Sequence, residues 1–261
     1  MPGSRVTFNP VAWLAAVALL LATGLPVVAE EQPAGGEWAF GGEIYLWGAT
    51  IDGALSAGDK FEFEFKDLLE NLNIAFMGRL EARKQKWTLF ADALYLNTEA
   101  NHNGTAHIIH HPVEASADVQ LKNFTSTLGG SYAVLETDST VLDAVAGARY
   151  LWVDFDFDFD LGNKISKSAS VGGQVWDGVV GIRGNTQLND KWYLTYYGDV
   201  GTGQSDLTWQ AMAAFNYRFK KVDAVFGYRY LRWEFDEGEN LGKDFDNIYV
   251  SGPFAGVKFG F

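Results

Sequence analysis

NIYVSGPFAGVKFGF, residues 247 to 261, divides its side chains between two faces at a period of two. One face carries Tyr249, Ser251, Pro253, Ala255, Val257, Phe259 and Phe261. The other carries Gly252, Gly256, Lys258 and Gly260, with Phe254 standing where a polar residue is usual. An apolar, aromatic-tipped face backed by glycines and one lysine suits a strand with lipid on one side and a crowded polar lumen on the other. The chain ends inside that strand.

Composition agrees with this reading. The 261 residues hold no cysteine, 15% aromatics, 29 glycines against 6 prolines, and a formal charge of -13. Without cysteine there is neither a disulfide framework nor a thiolate metal site. With such an acidic balance nothing would neutralise phosphates, so no nucleic-acid partner is expected.

Residues 1 to 29 have the layout of a secretory signal. Arg5 gives the charged start, Val11 to Leu21 the apolar run, and Val27-Val-Ala29 the small-residue pattern for cleavage after Ala29. The competing reading is an uncleaved anchor, since Val11 to Ala29 is uncharged and close to the ~20 residues that span a bilayer; Gly24 and Pro26 would interrupt it. The mature unit is then residues 30 to 261. No later apolar run is long enough to span, so a membrane protein of this composition closes a barrel to satisfy its backbone.

The alternation repeats backwards along the chain. Strands are expected at about 37–51, 73–83, 87–95, 113–135, 140–160, 170–186, 192–200, 207–219 and 222–236 before the terminal one. In strand 113–135 the apolar residues change phase near Phe124, which leaves its facing open. Lys84-Gln-Lys86, Thr137-Asp138, Asn189-Asp190 and Lys220-Lys221 make short turns at one end, while the other end has longer polar connections such as 97–112, and Asp67 caps one helical turn. That asymmetry belongs to outer-membrane barrels. The expected fold is all-β: a transmembrane antiparallel up-and-down β-barrel of ten strands, with eight as the alternative.

The ending Gly256-Val-Lys-Phe259-Gly-Phe261 resembles the C-terminal signal by which bacterial outer-membrane barrels are recognised. Residues 37 to 261 resemble the small bacterial outer-membrane β-barrel proteins as a class. Met77-Gly-Arg-Leu-Glu-Ala-Arg83, Ala146-Gly-Ala-Arg-Tyr-Leu151 and Ser205-Asp-Leu-Thr-Trp-Gln-Ala211 are similar to a family described only as uncharacterised outer-membrane proteins. The resemblance implies fold and location, insertion by the barrel-assembly machinery through the strand ending at Phe261, and contact with outer-membrane lipid and lipopolysaccharide. It brings no catalytic residues.

Gly147-Ala-Arg149-Tyr-Leu151 is echoed by Gly227-Tyr-Arg229-Tyr-Leu231, and Gly181-Ile-Arg183 shares the core. Residues i and i+2 share a face, so each glycine would clear lumen space beside a guanidinium. Glu81, Asp92, Asp143, Asp177 and Asp199 have the matching phase to pair with Arg79, Arg149, Arg183 and Arg229. This set is either a lattice that fills a small barrel or a charged constriction that selects a solute. Phe61 to Phe65 and Asp154 to Asp160 alternate Phe with acid; they either pack as an aromatic lid or extend as solvated strands. Acids there would meet the lipopolysaccharide rim through divalent cations.

All four histidines, His102, His107, His110 and His111, lie in 97–112. Imidazoles suit Zn, Cu and Ni, so His107, His110 and His111 are the metal candidates, against an exposed polar loop that happens to hold them. A rim enzyme acting on lipid or peptide would draw on the same histidines with Ser116 and Asp118. The preferred expectation is a barrel that is not an enzyme and has no cofactor, either a structural surface protein or a narrow porin-like channel for ions or small solutes.

Overall fold

The computed structural model describes residues 36–260 apart from 57, 59, 65, 67–69, 71, 109–110, 162–164, 237 and 239. The signal region 1–29, the cap at Asp67 and the terminal Phe261 fall outside those residues.

Strands are β1 (Ala39–Trp47), β2 (Thr50–Leu55), β3 (Lys60–Phe63), β4 (Leu72–Lys84), β5 (Trp87–Ile108) and β6 (His111–Glu136). They continue with β7 (Thr140–Leu161), β8 (Ile165–Gln187), β9 (Trp192–Gly203), β10 (Leu207–Arg218), β11 (Asp223–Glu234) and β12 (Phe245–Gly260). A 3-10 turn, Asn240–Lys243, precedes β12. β1 pairs with β4, each later strand pairs with the next through β12, and β12 pairs back with β1, so ten antiparallel strands close the barrel. β1 and β2 run on in one register against β12, from Gly41–Gly260 to Ser251–Thr50 and beyond. β3 folds back on β2 as a hairpin above the ring.

Local chemistry fixes the short turns. Asn189 Oδ1 accepts the N–H groups of Lys191 and Trp192, both at 3.0 Å, and Thr137 Oγ1 accepts the Thr140 N–H at 3.0 Å. Gln85 turns the β4–β5 hairpin in the left-handed region at φ 54°.

The outer surface is apolar: Ile44, Leu46, Leu89, Val180, Ile182 and Phe226 are all exposed. Rings gather at two levels. Trp87 meets Tyr132 at 4.8 Å and Trp192 meets Tyr217 at 4.9 Å near the short turns. Trp209, Tyr230 and Tyr249 stack toward the other end, at 4.7 Å and 6.3 Å. A belt between two aromatic girdles is the surface a barrel offers to lipid.

Two expectations about 97–135 change. The segment 97–112 continues β5 and β6 as a paired hairpin up to Ile108 and His111. β5 alone has 22 residues, which at ~3.3 Å per residue and a tilt near 40° rises roughly 55 Å, twice the height of the hydrocarbon band. The phase change near Phe124 also finds its cause. Leu121, Asn123, Thr125 and Thr127 share the inward face, while Phe124 packs outside against Tyr150 at 6.0 Å. Inward residues turn from polar to apolar on climbing the strand, so the apolar set switches faces.

Candidate functional site

The lumen has two storeys, and five of the ten strands, beside β6, show the change of chemistry on their inward faces. Glu43 and Tyr45 give way to Trp47, Ala49 and Ile51; Arg79 to Met77 and Ala75; Asp92 to Leu94 and Leu96. Arg149 gives way to Leu151, Val153 and Phe155, and Arg229 to Leu231 and Trp233.

The lower storey is a lattice of ion pairs. Arg149, fully buried, reaches across from β7 to pair with Asp199 on β9, and donates to Thr127 Oγ1 at 3.3 Å and Thr208 Oγ1 at 3.0 Å. Tyr197 donates its hydroxyl to the same Asp199 carboxylate. Arg229 donates to Asp92 at 3.0 Å, Tyr45 Oη at 2.9 Å and Gln210 Oε1 at 2.8 Å, and lies 4.9 Å over the Trp47 ring. Arg183 grips Glu81 with two bonds of 2.9 and 3.1 Å, and its Nε is 3.3 Å from Asp143, which also accepts from Ser131 at 2.9 Å. Arg79 Nε is 2.8 Å from Glu81 Oε1 but off the line of a hydrogen bond; its guanidinium lies 5.0 Å over Phe90. Two-point contacts of this kind hold both charge and orientation.

The structure therefore brings together Arg79, Glu81, Asp92, Asp143, Arg149, Arg183, Asp199 and Arg229. Asp177 is a correction. It faces Arg149 in the β7–β8 ladder, yet it accepts the backbone N–H of Ser205 at 2.9 Å and so ties down the β9–β10 turn. The glycines are a second correction. A Cβ on Gly227 would come within 2.7 Å of Ala214 Cβ and 2.8 Å of its Cα, and one on Gly147 within 2.9 Å of Gly129 Cα. They allow the coiled wall to approach itself closely and clear no space for guanidinium groups. Tyr197, Gln210, Thr127 and Thr208 were missed as lattice members; their inward phase was the signal available.

The upper storey is an apolar chamber of about 100 Å³. Trp47, Met77, Leu94, Leu151, Leu231 and Trp233 are among its walls, and Asn123 and Thr125 are its polar side chains besides the indoles. Asn123 spends its amide on the Trp152 carbonyl at 3.3 Å and accepts from Thr125 at 3.3 Å. The Trp47 indole donates to the Gly252 carbonyl at 3.1 Å, whereas the buried Trp233 indole N–H has no partner among the described residues. Above stand three rings: Phe61 and Phe155 at 5.7 Å, Phe61 and Phe245 at 5.9 Å, Phe155 and Phe245 at 5.7 Å. Leu241 of the 3-10 turn is buried over Gly173 beside them. The two Phe-acid segments thus meet through Phe61 and Phe155; the side chains of Phe157 and Phe159 lie outside the described residues.

The metal and rim candidates cannot be placed in the same way. His110 and the side chains of His102, His107, His111, Ser116 and Asp118 lie outside the described residues. Among the described residues no group of His, Asp or Glu is arranged to hold a metal ion.

No family model matches the sequence, and no curated protein matches it. Solved structures do. The chain is similar to the outer-membrane protease OmpT of Escherichia coli, with a TM-score of 0.54, 12% identity, and coverage of 90% of this chain and 99% of that one. It also aligns with the translocator domain of the autotransporter NalP of Neisseria meningitidis, at TM-score 0.41 and 15% identity over 96% and 98% of the two chains. A third match is the transport unit of the autotransporter AIDA-I of Escherichia coli, at 0.39 and 12% over 98% and 100%. The fold is that of a bacterial outer-membrane β-barrel, and its apolar belt seats it in that membrane. The expectation that the chain is not an enzyme is corrected, because the fold match with the highest of these scores is a protease.

Proposed function

We propose that this ten-stranded barrel of outer-membrane fold serves as a receptacle for a compact apolar molecule, held above a charged floor. The observation that carries the reading is the chamber itself. Apolar walls offer water few partners, and a space of this size lined by aliphatic and indole groups suits a single ring or a short alkyl chain. Left unfilled, it would cost about 2 kcal/mol. The lattice beneath it closes the lumen, because Arg149, Arg183 and Arg229 are each tied to a carboxylate on another strand and Arg79 lies against Glu81 of its own strand.

Saturation-transfer NMR with benzene on the purified barrel in detergent tests the receptacle. Saturable transfer is expected, and Ala75→Phe, which places a ring inside the chamber, should abolish it. Transfer that never saturates, or that survives Ala75→Phe unchanged, would mean that benzene reports only the detergent.

A second reading, a rim enzyme acting on peptide or lipid, is supported by the fold shared with an outer-membrane protease. His107, His110 and His111 would carry it. Hydrolysis of a peptide library by the purified barrel, lost when all three become alanine, would favour it.

A further inference from the structure

The chamber has a floor of ion pairs and a roof of phenylalanines, so the path a ligand takes into it is a separate question. The β1–β4 ladder stops at the pair Ile44–Gly78, although β4 continues upward to Leu72 and β1 runs on into β2. Among the described residues no ladder joins β4 to β1, β2 or β3 above that pair; in the sheet order β3 is one end and the upper β4 has no described partner on that side. Trp47 marks the break. Its backbone N–H meets the Met77 thioether at 3.1 Å, a weak acceptor, in place of a β4 carbonyl. The ladders β4–β5, β5–β6, β6–β7, β7–β8 and β11–β12 run on past this level; the β8–β9 ladder stops at Asp177–Gly203, but there the Gln204 N–H meets the Trp176 carbonyl and Leu241 covers Gly173.

Leu46 shows what the break opens. It lies on the outer face with Ile44 and is 72% exposed, while its neighbours Tyr45 and Trp47 point inward and are buried. Yet Leu46 is also part of the chamber wall, together with the inward Ala75 and Met77 of β4. Leu46 is thus an outward-facing residue that the chamber also reaches, at the place where the ladder beside it has stopped. Its depth follows from the register. Leu46 stands six residues after Phe40, which is exposed near the short-turn end, and six before Asp52, which pairs with the girdle residue Tyr249. Six residues at a tilt near 40° rise about 15 Å, so Leu46 sits near the middle of a band about 25 Å tall. What borders the break outside is hydrocarbon.

We propose that the β1–β4 seam is a lateral portal through which apolar molecules pass between the membrane interior and the chamber. Leu46 and Met77 form its sides. The ligand class is hydrocarbon dissolved in the bilayer, of about one ring in size, with the free end of a lipid acyl chain as the other source of the same chemistry. The inference rests on the receptacle reading.

The chain has no cysteine, so paired cysteines can be placed without background. Continuing the β1–β4 register sets position 46 opposite position 76. The full chain carrying Leu46→Cys and Phe76→Cys is reconstituted in phosphatidylcholine vesicles, with or without bridging by a short bismaleimide. It is mixed with vesicles carrying bromobenzene, whose heavy atom quenches Trp47 and Trp233. The chamber phase is the part of the quench that Ala75→Phe removes. Bridging the seam should slow that phase at least tenfold while leaving its final amplitude, and bridging Phe61→Cys to Phe155→Cys across the roof should leave the rate unchanged. Equal rates with and without the seam bridge, or slowing by the roof bridge instead, would overturn the portal and leave the receptacle standing. A quench with no phase sensitive to Ala75→Phe would overturn both. Vesicles with acyl chains brominated near the terminus distinguish the sources: quenching before any bromobenzene is added identifies lipid as the occupant.

Discussion

Replacing Arg149 by Met tests whether the lattice holds the barrel together. Arg149 is fully buried and donates to Asp199, Thr127 and Thr208. The substitution keeps most of the volume but leaves the Asp199 carboxylate buried with the Tyr197 hydroxyl as its hydrogen-bond partner. Breaking a buried pair from one side costs about 3–5 kcal/mol. We expect about 4 kcal/mol here, a drop of roughly a thousandfold in the folded-to-unfolded ratio. Changing Asp199 to Leu as well removes the stranded charge, and the remaining cost is the orphaned Tyr197 hydroxyl, about 1 kcal/mol. The double variant should therefore be more stable than Arg149→Met alone by about 2–3 kcal/mol. Urea unfolding of the refolded barrel in lipid vesicles, followed by tryptophan fluorescence, measures all four corners of the cycle. A single variant within about 1 kcal/mol of the parent, or a double variant at the sum of the singles, would refute a structural role for the pair.

Other outcomes follow from the same geometry. In planar bilayers the unmodified barrel should show no steady conductance, and Arg149→Ala with Arg229→Ala should raise it while lowering the thermal midpoint; large steady openings in the parent would show that the lattice does not close the lumen. Leu231→Ala, at a buried chamber wall, should cost about 2–3 kcal/mol in the urea assay and admit rings larger than benzene. Gly227→Ala drives a Cβ against Ala214 and should cost about 1–3 kcal/mol, seen as a lower urea midpoint, whereas Gly238→Ala, with no atom nearby but a positive φ of 83°, should disturb only its loop.

The sequence carried the barrel because strands in lipid repeat a two-residue code, and Trp209, Ala211, Ala213 and Phe215 state it without interruption. Ten strands could be counted because each short turn has its own chemistry, as at Asn189. The arginine lattice was legible from phase alone, since Arg149 and Arg229 share a face with the acids. Partner choice was not: Asp177 lies beside Arg149 in the ladder but is claimed by Ser205, a contact that depends on where the β9–β10 turn folds. The chamber was hidden for a related reason. An inward Leu121 or Leu151 looks in sequence like a slip of register, because lumen residues are expected to be polar. The signal lay in the repeated Arg-Tyr-Leu of Arg149–Leu151 and Arg229–Leu231, where the leucine two places after each arginine begins the apolar storey. The β1–β4 seam has no sequence mark of this kind, because it arises where two edges fail to pair.

The receptacle is tested most directly by diffraction from crystals of the barrel under xenon. An anomalous peak is expected inside the barrel, between Trp47, Leu151, Leu231 and Trp233 and above the Arg229–Asp92 pair, and it should disappear in Ala75→Phe. Xenon found solely in the detergent belt, with ordered water filling the chamber, would contradict it.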